Sequence, residues 1–89
     1  MERKLKLEGT VIRKHDFEFS FPCHIDDTRA GEAMGWLPED SPLLPPSFKS
    51  MSKGFGRREV VCDVLLDRFW RSGSGKTRYF HCQILAIIE

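Results

Sequence analysis

The stretch RREVVCDVLLDRFWR at residues 57–71, followed by SGSG at 72–75 and KTRYFHCQILAIIE at 76–89, decides how this chain folds. Val60, Cys62, Val64 and Leu66 alternate with Val61, Asp63, Leu65 and Asp67, and a second β-rich run returns after the glycines and serines. Apolar and β-branched residues at period two, broken by Gly and Ser, are the local signature of a β-hairpin. The inward row is expected to run on as Arg68 and Trp70, with Arg71 beside them, and Lys76, Arg78, Tyr79 and Phe80 answer from the returning strand. Cations and aromatics interleaved on both arms of a hairpin tip suit flat bases on an anionic backbone, that is, a single-stranded nucleic acid. The bland alternative is a cross-strand Trp70–Tyr79 pair that only stabilises the turn, by up to about 1 kcal/mol.

Upstream, Leu5, Leu7, Gly9 and Val11 alternate with Lys6, Glu8, Thr10 and Ile12. This predicts a half-buried strand whose central glycine marks a bulge or sharp bend of the kind that lets a sheet curl. The cleanest alternation in the chain places Phe17, Phe19, Phe21, Cys23 and Ile25 on one face and Glu18, Ser20, Pro22 and His24 on the other. Three phenylalanines in one row require a core or an interface, and Pro22, with no N–H to give a ladder, predicts an edge or strand end.

In the middle of the chain, Asp26, Asp27 and Thr28 have the composition of a helix cap, which predicts a short helix over residues 26–37 ended by Pro38. Four of the five prolines lie between Pro38 and Pro46, so residues 38–57 read as a connector, proline-rich at first and then basic. Its second half carries Lys49, Lys53, Arg57 and Arg58 with Phe48 and Phe55 and has no acidic residue. It is expected to be a flexible, basic, aromatic loop, either a second phosphate contact or a solvated loop with two anchoring phenylalanines.

Composition sets the outer bounds. The 89 residues make a single domain, 1–89, too small for an enzyme with its own cofactor domain. A 40% hydrophobic content with seven Phe indicates a folded core. The formal net charge of +1 hides a pattern: residues 1–15 carry +3, residues 16–40 carry −6 and residues 41–89 carry +4. An acidic middle between basic ends points to a polyanion partner or to self-association. Three cysteines without regular spacing do not form a disulfide framework, so reduced thiols and a cytoplasmic location are expected. The longest apolar run, Ile84 to Ile88, is five residues, so no membrane association is expected. That run is apolar on both strand faces, so its outer face needs a cover, either the middle segment of the chain or a second copy in a homodimer through residues 84–88.

At the hairpin the pattern Leu65-x-x-Arg68-x-Trp70-x-x-x-x-Gly75-x-x-Arg78-Tyr79, with Gly56 and Val61 upstream, resembles the fourth and fifth strands of bacterial single-stranded DNA-binding proteins and their OB-fold relatives such as the primosomal protein. Leu7-x-Gly9-x-Val11 resembles their first strand. The resemblance implies a small OB barrel whose hairpin tip reaches over bound nucleic acid, with Trp70 stacking on a base and Arg68, Arg78 and Tyr79 in support. Residues 26–56 depart from that pattern, since a proline-rich connector stands where the family has its third strand and a helix.

Other motifs carry less. Gly73-Ser74-Gly75-Lys76-Thr77 looks like the end of a P-loop, but the first glycine of that motif would fall at Trp70, and a strand follows rather than a helix. Cys23-His24 and His81-Cys82 offer zinc ligands, yet adjacent strand residues point to opposite faces and leave each set incomplete. Asp26, Asp27, Glu32, Glu39 and Asp40, with His15, His24 and His81, show no spacing that ties a nucleophile to a base. The reading is therefore an all-β domain with one short helix, a small curled OB-like barrel. It would bind single-stranded DNA or RNA without catalysis, cofactor or metal. Lys49, Lys53, Arg57, Arg68, Arg71, Lys76 and Arg78 would neutralise phosphates, and Trp70 with Tyr79 or Phe55 would stack bases. The competing reading is a protein-interaction module, an accessory or inhibitor protein of a mobile element, docking by its apolar last strand and acidic middle.

Overall fold

The computed structural model describes residues 3–26, 29–71 and 78–88, with side chains at 3–22, 31–68 and 78–88. Five strands, β1 (Arg3–Arg13), β2 (Phe17–Asp26), β3 (Arg29–Leu37), β4 (Arg57–Arg71) and β5 (Arg78–Ile88), close into a barrel in the order β1-β2-β3-β5-β4. All neighbours are antiparallel except β3 and β5, which run parallel from Gly31↔Arg78 to Met34↔His81. The result is the strand-dominated, OB-like barrel expected from the sequence. Among the described residues no helix is long and apolar enough to cross a membrane.

Period-two alternation fills the interior. Phe17, Phe19 and Phe21 from β2, Val60, Cys62, Val64 and Leu66 from β4, and Phe80, Cys82 and Ile84 from β5 are all buried, with Val11 and Ala33 between them. At roughly 1.5 to 3 kcal/mol for each large apolar side chain removed from water, these rows supply most of the drive to close the sheet. Closure requires Gly9. A Cβ there would overlap the Ser20 carbonyl and come within 2.7 Å of the Phe21 ring, so β2 crosses β1 at backbone contact distance. The β1–β2 ladder runs only from Arg13↔Phe17 to Thr10↔Ser20, and Pro22 lies two residues beyond it with only β3 as a ladder partner. That is the edge position its missing N–H calls for.

The helix expected over residues 26–37 is not formed; the segment Arg29–Leu37 is strand β3. Ala33, Gly35 and Leu37 face inward and Glu32, Met34 and Trp36 outward, the alternation of a strand. The cap signal was local, whereas nine β2–β3 pairs from Phe17↔Leu37 to Asp26↔Arg29, together with the parallel seam to β5, are tertiary. Two glycines would have cost a helix about 1 kcal/mol each, while small residues on an inner strand face cost the barrel little. Asp27 and Thr28 of that expected cap lie outside the described residues.

The connector from Pro38 to Gly56 closes one end of the barrel and contains the only helical turn among the described residues, a 3-10 helix at Pro46–Ser50. Leu44, Phe48 and Met51 are buried against the strands, and the Phe48 ring lies 6.0 Å from that of Phe17. Arg13, at the end of β1, ties the segment down. Its guanidinium donates to the carbonyls of Lys49 (2.8 Å) and Met51 (3.0 Å), pairs with Glu39 at 3.3 Å and lies 5.2 Å from the centre of the Phe17 ring. Side-chain-to-backbone bonds and buried anchors hold this part of the connector, and of the two phenylalanines expected to anchor it only Phe48 does, Phe55 being exposed.

Candidate nucleic-acid interface

β4 spans 15 residues, and its length separates the sequence-predicted site residues into two groups. Arg68, Trp70, Arg71, Arg78 and Tyr79 lie at one end, on the β4–β5 hairpin, where Trp70 is opposite Tyr79 and Arg71 opposite Arg78. Lys49, Lys53, Phe55 and Arg57 lie at the other end, in the connector and the first residue of β4. The two groups thus stand at opposite ends of β4 in a molecule 38 Å long and do not form one site. Lys76 and the expected turn at Ser72 to Gly75 lie outside the described residues, as does the P-loop-like segment; for Trp70 and Arg71 only the backbone positions are described.

The inward row does not continue to Arg68 as expected. The β4–β5 register shifts between Leu66 and Arg68, leaving Asp67 as an extra residue on β4, and Arg68 is exposed opposite His81. A bulge of this kind re-aims the residues after it. Here it also creates a polar cluster on the outer face: the Nδ1–H of His81 donates to Asp67 Oδ1 at 2.5 Å and the Gln83 amide donates to Oδ2 at 3.0 Å. The hydrogen bond from His81, aided by that from Gln83, holds the Asp67 carboxyl below the usual carboxylate range despite partial burial.

Beside this cluster lies an aromatic feature of the outer surface. Trp36, 45% exposed, stacks on His81 with ring centroids 6.0 Å apart and planes 20° from parallel. Its indole N–H reaches Glu18 on β2 at 3.3 Å, and Ser20 donates to Glu32 at 2.6 Å, so the β2–β3 face is a bonded polar lattice around an open indole. The parallel seam sets Met34 beside His81 and Glu32 beside Tyr79, so Trp36, His81 and Tyr79 share one outer face leading to the hairpin. Trp36 and His81 are absent from the sequence-derived site. The misread helix hid them; the signal toward them was a weak one, small residues Gly31, Ala33 and Gly35 alternating with Glu32, Met34 and Trp36.

At the opposite end, the turn at Lys53–Phe55 projects Phe55 into solvent, 91% exposed. Gly54 takes φ of 88°, a left-handed conformation that favours glycine, and donates its N–H to the Arg13 carbonyl at 2.8 Å. Lys53 is 3.1 Å from Glu39, and its hydrogen bond, followed by that of Arg13, depresses the Glu39 carboxyl. Arg58 is engaged as well, donating to Ser47 Oγ at 3.1 Å with its guanidinium 5.2 Å from the Phe48 ring centre. Only Lys49 and Arg57 of this group are exposed cations for which no ion pair is formed among the described residues.

Cys82 is buried while His81 is on the outer face, so adjacent residues do point apart; Cys23 and His24 side chains lie outside the described set. Burial, with the Asp63 carboxylate adding to it, pushes the Cys62 thiol up to about 12. Compared with known protein families, curated proteins and solved structures, the chain matches none.

Proposed function

We propose that this chain is a non-catalytic, sequence-tolerant binder of single-stranded DNA or RNA, using the outer face of β3 and β5 together with the β4–β5 hairpin. The observation that supports this best is the open Trp36 ring stacked on His81, in line with Tyr79 and bordered by the exposed Arg68. An exposed indole backed by a second ring offers a rigid plane to a base, and each stacked base contributes roughly 1 to 3 kcal/mol without regard to sequence. Arg68, Arg71, Lys76 and Arg78 are the phosphate contacts of this reading, and Trp70 is a second stacking residue. The Asp67 carboxylate on this face is held by hydrogen bonds to His81 and Gln83. Lys49, Lys53, Phe55 and Arg57 are assigned no contact here, because they stand at the far end of β4.

Titration of the protein with labelled oligo-dT and oligo-U of about 20 nucleotides, by anisotropy at low and near-physiological salt, tests the proposal. Three or four phosphate contacts give a log–log salt slope of about −2 to −3. Trp36→Ala and Trp70→Ala are each expected to weaken binding about tenfold or more, whereas Lys49→Ala leaves it unchanged. Absence of binding at low salt refutes the reading.

A further inference from the structure

We infer that the end of the barrel carrying the connector is a self-association surface, on which Phe55 of one copy seats in a groove beside β4 of a second copy, reciprocally about a two-fold axis. This inference stands apart from the nucleic-acid reading and rests on different residues.

Phe55 is held outward by built structure. The backbone on either side is bonded, Gly54 N–H to the Arg13 carbonyl at 2.8 Å and Gly56 N–H to the Ser52 carbonyl at 2.7 Å, and Gly54 supplies the left-handed turn. A 91% exposed phenylalanine on a fixed turn contributes nothing to its own core. Its backbone is already fixed, so docking costs chiefly the freedom of two side-chain torsions.

Two residues along the chain, Arg57 begins the wall of a groove of about 750 Å³. Pro22, Val61, Ile87 and Ile88 supply its apolar surface, and Ile88 is among the few large apolar side chains left exposed. Glu8, Glu59, Arg57 and Arg58 supply its charge.

Two features select a second copy as the occupant. The knob and the groove are neighbours, with Phe55 and Arg57 no more than about 7 Å apart at Cα. An isologous interface needs both halves of the contact on one patch, so that each copy gives and receives. The charges also match themselves: two carboxylates, Glu8 and Glu59, and two guanidiniums, Arg57 and Arg58, surround the apolar floor, with Lys53 beside the phenylalanine. A polyanion would meet the carboxylates, and a strongly acidic or basic protein would leave half of these charges unpaired on burial. A two-fold axis passing between the carboxylates and the guanidiniums brings each sign to the other.

Sedimentation equilibrium of the full chain from about 1 to 200 µM is the test, on the wild type, Phe55→Ser, Phe55→Trp and Ile88→Asp, spanning the micromolar range in which interfaces of modest size associate. The expected result is a concentration-dependent dimer in the wild type and in Phe55→Trp, and dissociation constants at least about tenfold weaker in Phe55→Ser and Ile88→Asp. Because the Phe55 ring touches almost nothing within its own copy, Phe55→Ser melts like the wild type at low concentration, which separates lost docking from lost folding. A wild type that stays monomeric throughout overturns the inference. So does a dimer that survives Phe55→Ser, or a monomer whose Phe55 instead drives binding to vesicles of anionic lipid.

Discussion

The two phenylalanines of the connector, Phe48 and Phe55, should respond oppositely to the same change. Phe48 is 1% exposed, packs on Phe17 and carries the Arg58 guanidinium over its ring, so Phe48→Ala removes a full aromatic side chain from the closed end of the barrel. Large-to-small changes of this kind cost about 3 to 5 kcal/mol, with the lost ring pair and cation contact within that range. At about 2.1 cal/mol/K per residue, the 89 residues give an unfolding entropy near 0.19 kcal/mol/K, so a loss of 4 kcal/mol lowers Tm by about 20 °C. Phe55→Ala, by contrast, removes a ring that is 91% exposed and should move Tm at low concentration by no more than about 2 or 3 °C. Thermal melts followed by far-ultraviolet circular dichroism at a few micromolar read both values. A drop of less than about 5 °C for Phe48→Ala would mean that the connector only drapes over the strands, and the account of it as part of the core would be wrong.

Three further outcomes follow from the geometry. Gly9→Ala should destabilise by about 3 kcal/mol, the upper end of overpacking costs, read as a shift of the urea midpoint, because its Cβ meets the backbone carbonyl of Ser20. The Asp67 carboxyl is depressed in the fold, so its contribution is complete above the ordinary carboxylate range and fades as pH falls through about 4 and below. Urea midpoints of wild type and Asp67→Asn should therefore differ near pH 5 and converge as the pH falls through about 4 and below; a gap that widens on acidification contradicts the sign. In a Cys23→Ser background, Cys62 and Cys82 should resist a thiol reagent at pH 8 until the chain unfolds, since both are buried and burial pushes the Cys62 thiol up to about 12.

The barrel was legible wherever one strand face is fully apolar. The rows Phe17, Phe19, Phe21 and Val60, Cys62, Val64, Leu66 are as read, whereas Gly9, expected to mark a bulge or sharp bend, lies in a β1–β4 ladder without a register shift and is instead a close approach to β2. Strand β3 was not legible because its inner face is built from Gly31, Ala33 and Gly35, residues too small to mark a face by hydrophobicity, while Asp26 and Asp27 imitate a cap. That error propagated to the candidate site and hid Trp36. The bulge at Asp67 was invisible for a different reason, since an inserted residue shows only in the register of the partner strand. The order of the connector depends on Arg13, some 26 to 38 residues away from the groups it bonds, and no local pattern encodes such a clamp.

The closing seams of the barrel join distant parts of the chain. Arg3 pairs with Leu66, a separation of 63 residues, and Gly31 with Arg78, a separation of 47, whereas β2 and β3 meet through Asp26↔Arg29. Each long seam costs on the order of 3 to 4 kcal/mol of chain-closure entropy before its contacts return anything. Non-local pairing of this kind places folding on the millisecond-to-second scale rather than in microseconds. Until the Arg78–Ile88 strand is in place, β3 lacks its parallel neighbour. While that seam is open, pairing between chains competes with closure within one.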